Sequence, residues 1–220
     1  MNCGTQPNAE SAGRPLPPVP AAGDEPLFFR EAHHFSQLAV RARAMARRRT
    51  SLNVWCCGCR SGEDAYSAAM ALREGGCHGE VLATDADETA LAVGRRGMYR
   101  LADVLPAGHE RLQRHFFVRG TEEAHRVALV RGEVRSMVRF VLHTFPGGAR
   151  LPEAPFDFIL CRGSLSALDG SARRRAIDQM VEALLPGGVL FLGQADSFGV
   201  SHPQLLPCGR TAFERSGSSR

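Results

Sequence analysis

Three groups of residues in this chain have the types and spacing to do chemistry. The first is the loop G-C-R-S-G-E at residues 58–63, which follows the run N-V-W-C-C. Cys56, Cys57, Gly58 and Cys59 are small enough for a ligand to come close to the backbone. The second is Asp85, roughly twenty residues past the loop, where α/β nucleotide folds place the carboxylate that binds a ribose diol. Asp85 has a competing role as a helix N-cap, although Asp87 lies nearer the expected helix start and suits that role better. The third is a thiol cluster, Cys56, Cys57 and Cys59, with His33 or His34 as partners for a metal. Adjacent cysteines match the usual C-x-x-C spacing of zinc sites poorly, so no metal is expected.

These side chains need a strand, a tight turn and a helix to hold them. Val54 and Trp55 suit a buried strand. Ser61, three residues before Asp64, offers a capping box for the helix that follows. Ala65, Ala68, Ala69 and Leu72 recur on one helical face, and Gly75-Gly76 ends it. A strand, a glycine-bearing turn and a helix in that order form the ligand-binding end of an open α/β sheet. The run E-V-L-A-T-D-A-D reads as a second strand, with a helix over 88–95 after it. Residues 116–119 and 125–131 suggest an antiparallel hairpin decorating the sheet. Residues 137–142 supply a third strand and residues 154–162 a buried one. Residues 173–185 form an amphipathic helix with Ile177, Met180, Val181, Leu184 and Leu185 on its stripe. It stops at Pro186-Gly187-Gly188 and gives way to a strand over 189–193. Strand and helix alternate, which predicts a mostly parallel sheet covered on both faces. Residues 211–215 are expected to add an edge strand.

Before all this, residues 1–24 are rich in Pro, Gly, Ala and Ser and read as a disordered leader. Phe28, Phe35, Leu38 and Met45 are placed on the buried side of a helix whose solvated end is Arg47, Arg48 and Arg49. The domain is expected over 25–215, with an insert at about 100–135 and a frayed tail over 216–220. Composition bounds the rest. With 220 residues, 44% hydrophobic and 23% charged, the chain has room for one ordinary domain. Its formal net charge is +4 and it has no lysine, too modest a bias to argue for nucleic acid. No apolar run is long enough to span a bilayer and no secretory signal opens the chain. Seven cysteines without a regular framework read as reduced thiols in a cytoplasmic protein.

The ordered motifs F-F-R-E-A-H-H-F at 28–35, G-C-R-S-G-E-D-A-Y-S at 58–67, A-T-D-A-D at 83–87 and F-D-F-I-L-C-R at 156–162 narrow this further. Together with G-M-Y-R at 97–100, L-Q-R-H-F at 112–116 and L-L-P-G-G-V-L-F at 184–191, they resemble the CheR-type chemotaxis-receptor methyltransferases. The resemblance implies a class I, Rossmann-like methyltransferase fold with a small antiparallel β-subdomain. It implies S-adenosylmethionine as cofactor and glutamate side chains on the cytoplasmic domains of chemoreceptors as substrates. By the same resemblance, Arg30 sits beside the transferred methyl group, Glu63 is the acid of the cofactor loop and Asp85 holds the ribose. Gly58, Cys59, Ser61 and Gly62 complete the loop contacts, and Thr144, Arg162 and Gly163 fall where further cofactor contacts are expected. From the residues alone, Arg162 could instead cap a strand end or meet an acid. The β-subdomain is the part that grips a receptor tail in some members.

The chain departs from the family at defined places. The family has a helical domain before F-F-R, where this chain has its short leader. Pro26 replaces a cofactor-contacting Thr, and Thr144 or a neighbour replaces an Asn. After Cys161-Arg162 the family's N-V-x-I-Y-F gives way to G-S-L-S-A-L, which removes an Asn and an active-site Tyr. The competing expectation is therefore a non-catalytic relative that binds cofactor or receptor without turnover.

Overall fold

The computed structural model of the chain describes residues 28–120, 126–148, 151 and 155–217. The leader, Pro26, the turn of the expected hairpin and residues 218–220 lie outside the described residues. The chain begins with α1 (Ala32–Met45), β1 (Leu52–Cys57), α2 (Glu63–Glu74), β2 (Gly79–Asp85) and α3 (Glu88–Arg96). A smaller unit follows, made of β3 (Met98–Arg100), α4 (Leu101–Val104), α5 (His109–His115), β4 (Phe116–Arg119) and β5 (Val127–Val130). The last stretch comprises α6 (Gly132–Arg135), β6 (Val138–Leu142), β7 (Phe156–Cys161), α7 (Gly170–Ala183), β8 (Leu184–Leu192), α8 (Gln194–Ser197), β9 (Leu205–Gly209) and β10 (Ala212–Arg215).

The main sheet has seven strands in the order β6-β2-β1-β7-β8-β10-β9. The first five are mutually parallel, and β10 runs antiparallel to both its neighbours. This is the mostly parallel α/β sheet expected from the alternation of elements. Successive side chains on a strand point to opposite faces, and the core divides accordingly. Val54, Cys56, Phe158, Leu160, Val189 and Phe191 face α1 and α2. Trp55, Cys57, Ile159, Cys161, Leu190 and Leu192 face α7. Helix α2 is buried from Ala65 through Leu72. Its alanines let it lie close on the sheet, so its apolar stripe broadens to nearly the whole circumference. The strands β3, β5 and β4 form a separate three-stranded antiparallel sheet, with β5 in the middle. This is the small antiparallel unit that the sequence suggested, joined by one strand more than a hairpin.

Some local expectations are corrected. Helix α7 ends at Ala183, and Leu184 already pairs with Phe156 as the first residue of β8. The register then shifts, so that Phe158 meets Val189 and the L-P-G-G stretch lies inside the strand as an irregularity. Leu184 therefore joins the core from a strand, which is why it also fitted the helical stripe. Residues 212–215 are not an edge strand: β10 is inserted between β8 and β9, and β9 is the edge. Phe28 precedes α1, whose buried side is His34, Phe35, Leu38 and Ala42. Arg49 is more than solvated helix end, for it pairs with the carboxylate of the fully buried Asp157. Burial pushes that carboxyl up, while the Asn53 N–H (2.8 Å) and Arg49 pull it back.

Candidate functional site

The carboxyl ends of β1, β2 and β7 meet at one place, where such sheets leave room for a ligand. Cys57 hands over to Gly58 with a left-handed backbone (φ 65°), and Arg60 (φ 50°) and Gly62 (φ 91°) turn the chain twice more before α2 starts. The turn is pinned by backbone bonds from Cys59 N to Thr84 O (2.9 Å) and Gly62 N to Cys59 O (2.8 Å). Gly62 is required for two reasons. Its φ suits glycine, and a Cβ there would lie 2.7 Å from the Phe140 ring.

The expected capping box does not form. Gly62 occupies the N-cap of α2 and no side chain caps it. The Ser61 hydroxyl donates to Glu63 Oε1 instead (2.7 Å), and the Asp64 carboxylate turns to Arg162. Glu63 is buried, which pushes its carboxyl up, and the Ser61 hydroxyl and the helix backbone draw it part of the way back.

At the end of β2 the two acids divide their work. Asp87 caps α3, accepting from Thr89 N (2.8 Å) and Ala90 N (3.3 Å). Asp85 is left to accept Arg60 N on one oxygen (2.8 Å) and Asp87 N on the other (3.0 Å). A carboxylate fixed on its inner side keeps its outer lone pairs for a ligand.

From the other side comes the turn that carries Arg30. Phe29 and Glu31 both have φ of 54°, a strained conformation for side chains other than glycine. Neighbours hold it in place. Phe29 N donates to Ser67 Oγ (3.1 Å), its ring packs edge-on against Phe35 (centroids 5.2 Å apart), and the Arg111 guanidinium covers it at 3.8 Å. Gln194 N donates to Glu31 Oε1 (3.1 Å).

A cavity of about 210 Å³ opens between these pieces, lined by Arg30, Gly58, Cys59, Arg60, Glu63, Asp64, Asp85, Arg162, Gly163 and Ser164. It gathers most of the residues that the sequence singled out: Arg30, Gly58, Cys59, Glu63, Asp85, Arg162 and Gly163. Ser61, Gly62 and Thr144 do not line it. Ser61 and Gly62 shape the loop from behind, and the Ser61 carbonyl accepts the Tyr99 hydroxyl (2.6 Å). Thr144 is exposed beyond β6, its carbonyl accepting Gly148 N (2.9 Å). Arg60, Asp64 and Ser164 line the cavity without having been singled out. Asp64 was assigned to a cap, and Ser164 becomes visible only once β7 lies beside β1, where its hydroxyl fills the space a Gly58 Cβ would take.

Reasoning from sequence also missed Asp196. Fully buried, it accepts from Leu165 N (2.9 Å), Ser166 N (2.9 Å) and Gly163 N, and so fixes the G-S-L-S turn after β7. Nothing in Q-A-D-S-F marks it in advance. The thiols contribute no reactive group: burial raises Cys56, Cys57 and Cys59, and nearby acids raise Cys59 further. Among the described residues, no group of three or more His, Cys, Asp or Glu is arranged to hold a metal.

Comparison with known proteins bears on the same stretch. The family model for the CheR methyltransferase, SAM binding domain, matches residues 24–212. The chemotaxis protein methyltransferase of Salmonella typhimurium is 35% identical over 193 residues, covering 86% of this chain and 66% of that protein. That of Klebsiella aerogenes is 34% identical, covering 84% of this chain and 64% of its own length. Chemotaxis protein methyltransferase 2 of Pseudomonas aeruginosa is 31% identical, covering 84% and 68%. The chain thus spans just under two thirds of the length of the first two of these relatives. A match over this much of the chain means that the chain belongs to the CheR methyltransferase family through its S-adenosylmethionine-binding domain.

Proposed function

We propose that this chain transfers a methyl group from S-adenosylmethionine to glutamate side chains on the cytoplasmic domains of chemotaxis-type receptors. The observation that carries the reading is the single cavity that gathers Arg30 with Glu63 and Asp85. The lining fits the cofactor. Asp85 offers a fixed carboxylate for a diol, and Glu63 brings a second acid to a site for a ligand with cationic groups. Gly163, with φ of 81°, has no atom within 4 Å of where a Cβ would stand, so the cavity wall there is bare backbone. Gly58, Cys59, Glu63, Asp85 and Gly163 would hold the group, which supplies a methyl on a sulfonium when bound.

The protein has correspondingly little chemistry to do. A glutamate side chain has an ordinary pKa of about 4.3, so it is already ionised at neutral pH and needs no general base. Arg30 gives that carboxylate a two-pronged, charge-assisted partner and sets its direction. Alignment of this kind can contribute on the order of 7–11 kcal/mol. The small antiparallel sheet supports a receptor-tail contact. β4 is one of its outer strands and exposes Phe117 and Val118, with the Arg131 guanidinium 3.9 Å over the Phe117 ring. An extended segment could pair with such an edge. Among the described residues no helix is long and apolar enough to cross a membrane.

Calorimetry with S-adenosylmethionine and radiolabel transfer to receptor cytoplasmic fragments test the reading. Glu63→Ala should weaken cofactor binding about 10- to 100-fold, the loss of a contact to a charged group. Arg30→Ala should leave that affinity nearly intact and slow transfer about 100-fold. Equal affinity in wild type and Glu63→Ala would refute the assignment of Glu63. Tight cofactor binding without transfer to any receptor would sink the enzymatic reading.

A further inference from the structure

Arg162 lines the cavity, and its guanidinium is taken up by two other residues of that lining, Asp64 and Arg30. Nε and Nη2 donate to the two oxygens of Asp64 (2.9 and 2.7 Å), and Nη1 donates to the Arg30 backbone carbonyl. Glu31 Oε2 stands 3.8 Å from Nη1, and the Phe35 ring centroid 5.4 Å from the central carbon. The side chain is 1% exposed. All three guanidinium nitrogens are therefore committed to protein partners. Those partners come from two segments, the strained turn at 29–31 and the start of α2, which are otherwise joined by the bond from Phe29 N to Ser67 Oγ (3.1 Å). Burial pushes the Asp64 carboxyl up, and the Arg162 guanidinium, with Arg30 beside it, draws it only part of the way back.

We propose that Arg162 is a positioning residue and not a cofactor contact: from the end of β7 it braces the Arg30 turn against the first turn of α2. A planar fork suits this work, since it can grip a carboxylate with two prongs and turn a third toward a carbonyl. A lysine at the same place keeps the charge and loses the geometry. The catalytic consequence rests on the role proposed for Arg30, but the brace itself does not.

The decisive variants are Arg162→Lys and, should that fail to fold, Asp64→Asn. Each is examined by hydrogen exchange resolved to peptides, by calorimetry with S-adenosylmethionine and by the transfer assay. The amides of residues 28–34 should exchange about tenfold faster or more, while those of residues 56–62 stay within about twofold of wild type. The cofactor Kd should stay within about threefold, and transfer should fall about tenfold or more in kcat with an unchanged cofactor KM. Adding Asp64→Asn to Arg162→Lys should change little further, because the grip on that carboxylate is already lost. Unchanged exchange over residues 28–34 overturns the proposal. So does a Kd raised about tenfold or more, which would make Arg162 a cofactor contact. A wild-type protein that fails to bind the cofactor would defeat the proposed function while the exchange comparison still decides the brace.

Discussion

Gly62→Ala is expected to destabilise the protein by about 2–5 kcal/mol and to cripple the cofactor loop. Two separate costs add. A side chain at φ of 91° forces an L-residue into left-handed backbone, at about 1–2 kcal/mol. The new methyl would also start 2.7 Å from Cε1 and Cζ of Phe140 and 3.4 Å from the Gly94 Cα. Overpacking of that kind costs about 1–3 kcal/mol. Relief by moving the loop would displace Glu63 and break the Gly62 N to Cys59 O bond, so cofactor affinity should fall about 100-fold along with stability. Urea denaturation and cofactor calorimetry on the same preparation measure both. In a Phe140→Leu background the same change should cost only the backbone share, about 1–2 kcal/mol. A Gly62→Ala protein with wild-type midpoint and affinity would show that the loop tolerates a side chain there.

The second large effect is on acid stability. His34 is buried beside Phe191 and shares a 2.7 Å hydrogen bond with the Thr211 hydroxyl. Burial first, then the neighbouring His33 and Arg162, drive its pKa from 6.5 down to about 3. Below pH 6.5 the unfolded chain takes up a proton at this position that the folded protein refuses until about pH 3. Stability from this group is therefore full above pH 6.5 and drains away as the pH falls, reaching a loss of about 3 kcal/mol by pH 4. Glu63, Asp64 and Asp157, raised by burial, act in the opposite sense over the acidic range. A difference measurement cancels them. His34→Gln, which keeps a partner for Thr211, should lose stability less steeply than wild type between pH 6.5 and 4. Parallel urea midpoints for the two proteins across that range would contradict a neutral His34.

What could be seen in the sequence was what local pattern encodes. Val54 to Leu72 revealed strand, turn and helix because small residues and an alanine stripe have few other uses. Asp87 could be told from Asp85 as the cap because caps sit at fixed offsets from a helix start, and Asp85 lines the cavity instead. The errors fell where the deciding contact is remote. Ser61 had the spacing of a capping residue, but Gly62 took the N-cap and left the hydroxyl to Glu63. Leu184 fitted the stripe of α7, and only pairing with Phe156 shows it to be in a strand. Asp64 and Arg162 are 98 residues apart, Gly163 and Asp196 are 33 apart, and neither pair leaves a periodic trace. Buried charges find partners through topology, so the cavity's lining was partly legible and its bracing was not.

The insertion of β10 between β8 and β9 bears on how the molecule assembles. Helix α1, which follows Arg30 directly, has His34 bound to Thr211, Gln37 to the Cys208 carbonyl (3.1 Å) and Arg41 to Glu214 (2.5 Å). The segment that emerges early from the ribosome is thus fastened by the segment that emerges late, across separations of 177, 171 and 173 residues. Contacts so distant in sequence form slowly, because the closure entropy of the whole intervening chain must be met before they form. Helix α1, and the Arg30 turn that leads into it, therefore draw on β9 and β10 for part of their order, and a chain trimmed of those two strands would lose all three of these fastenings.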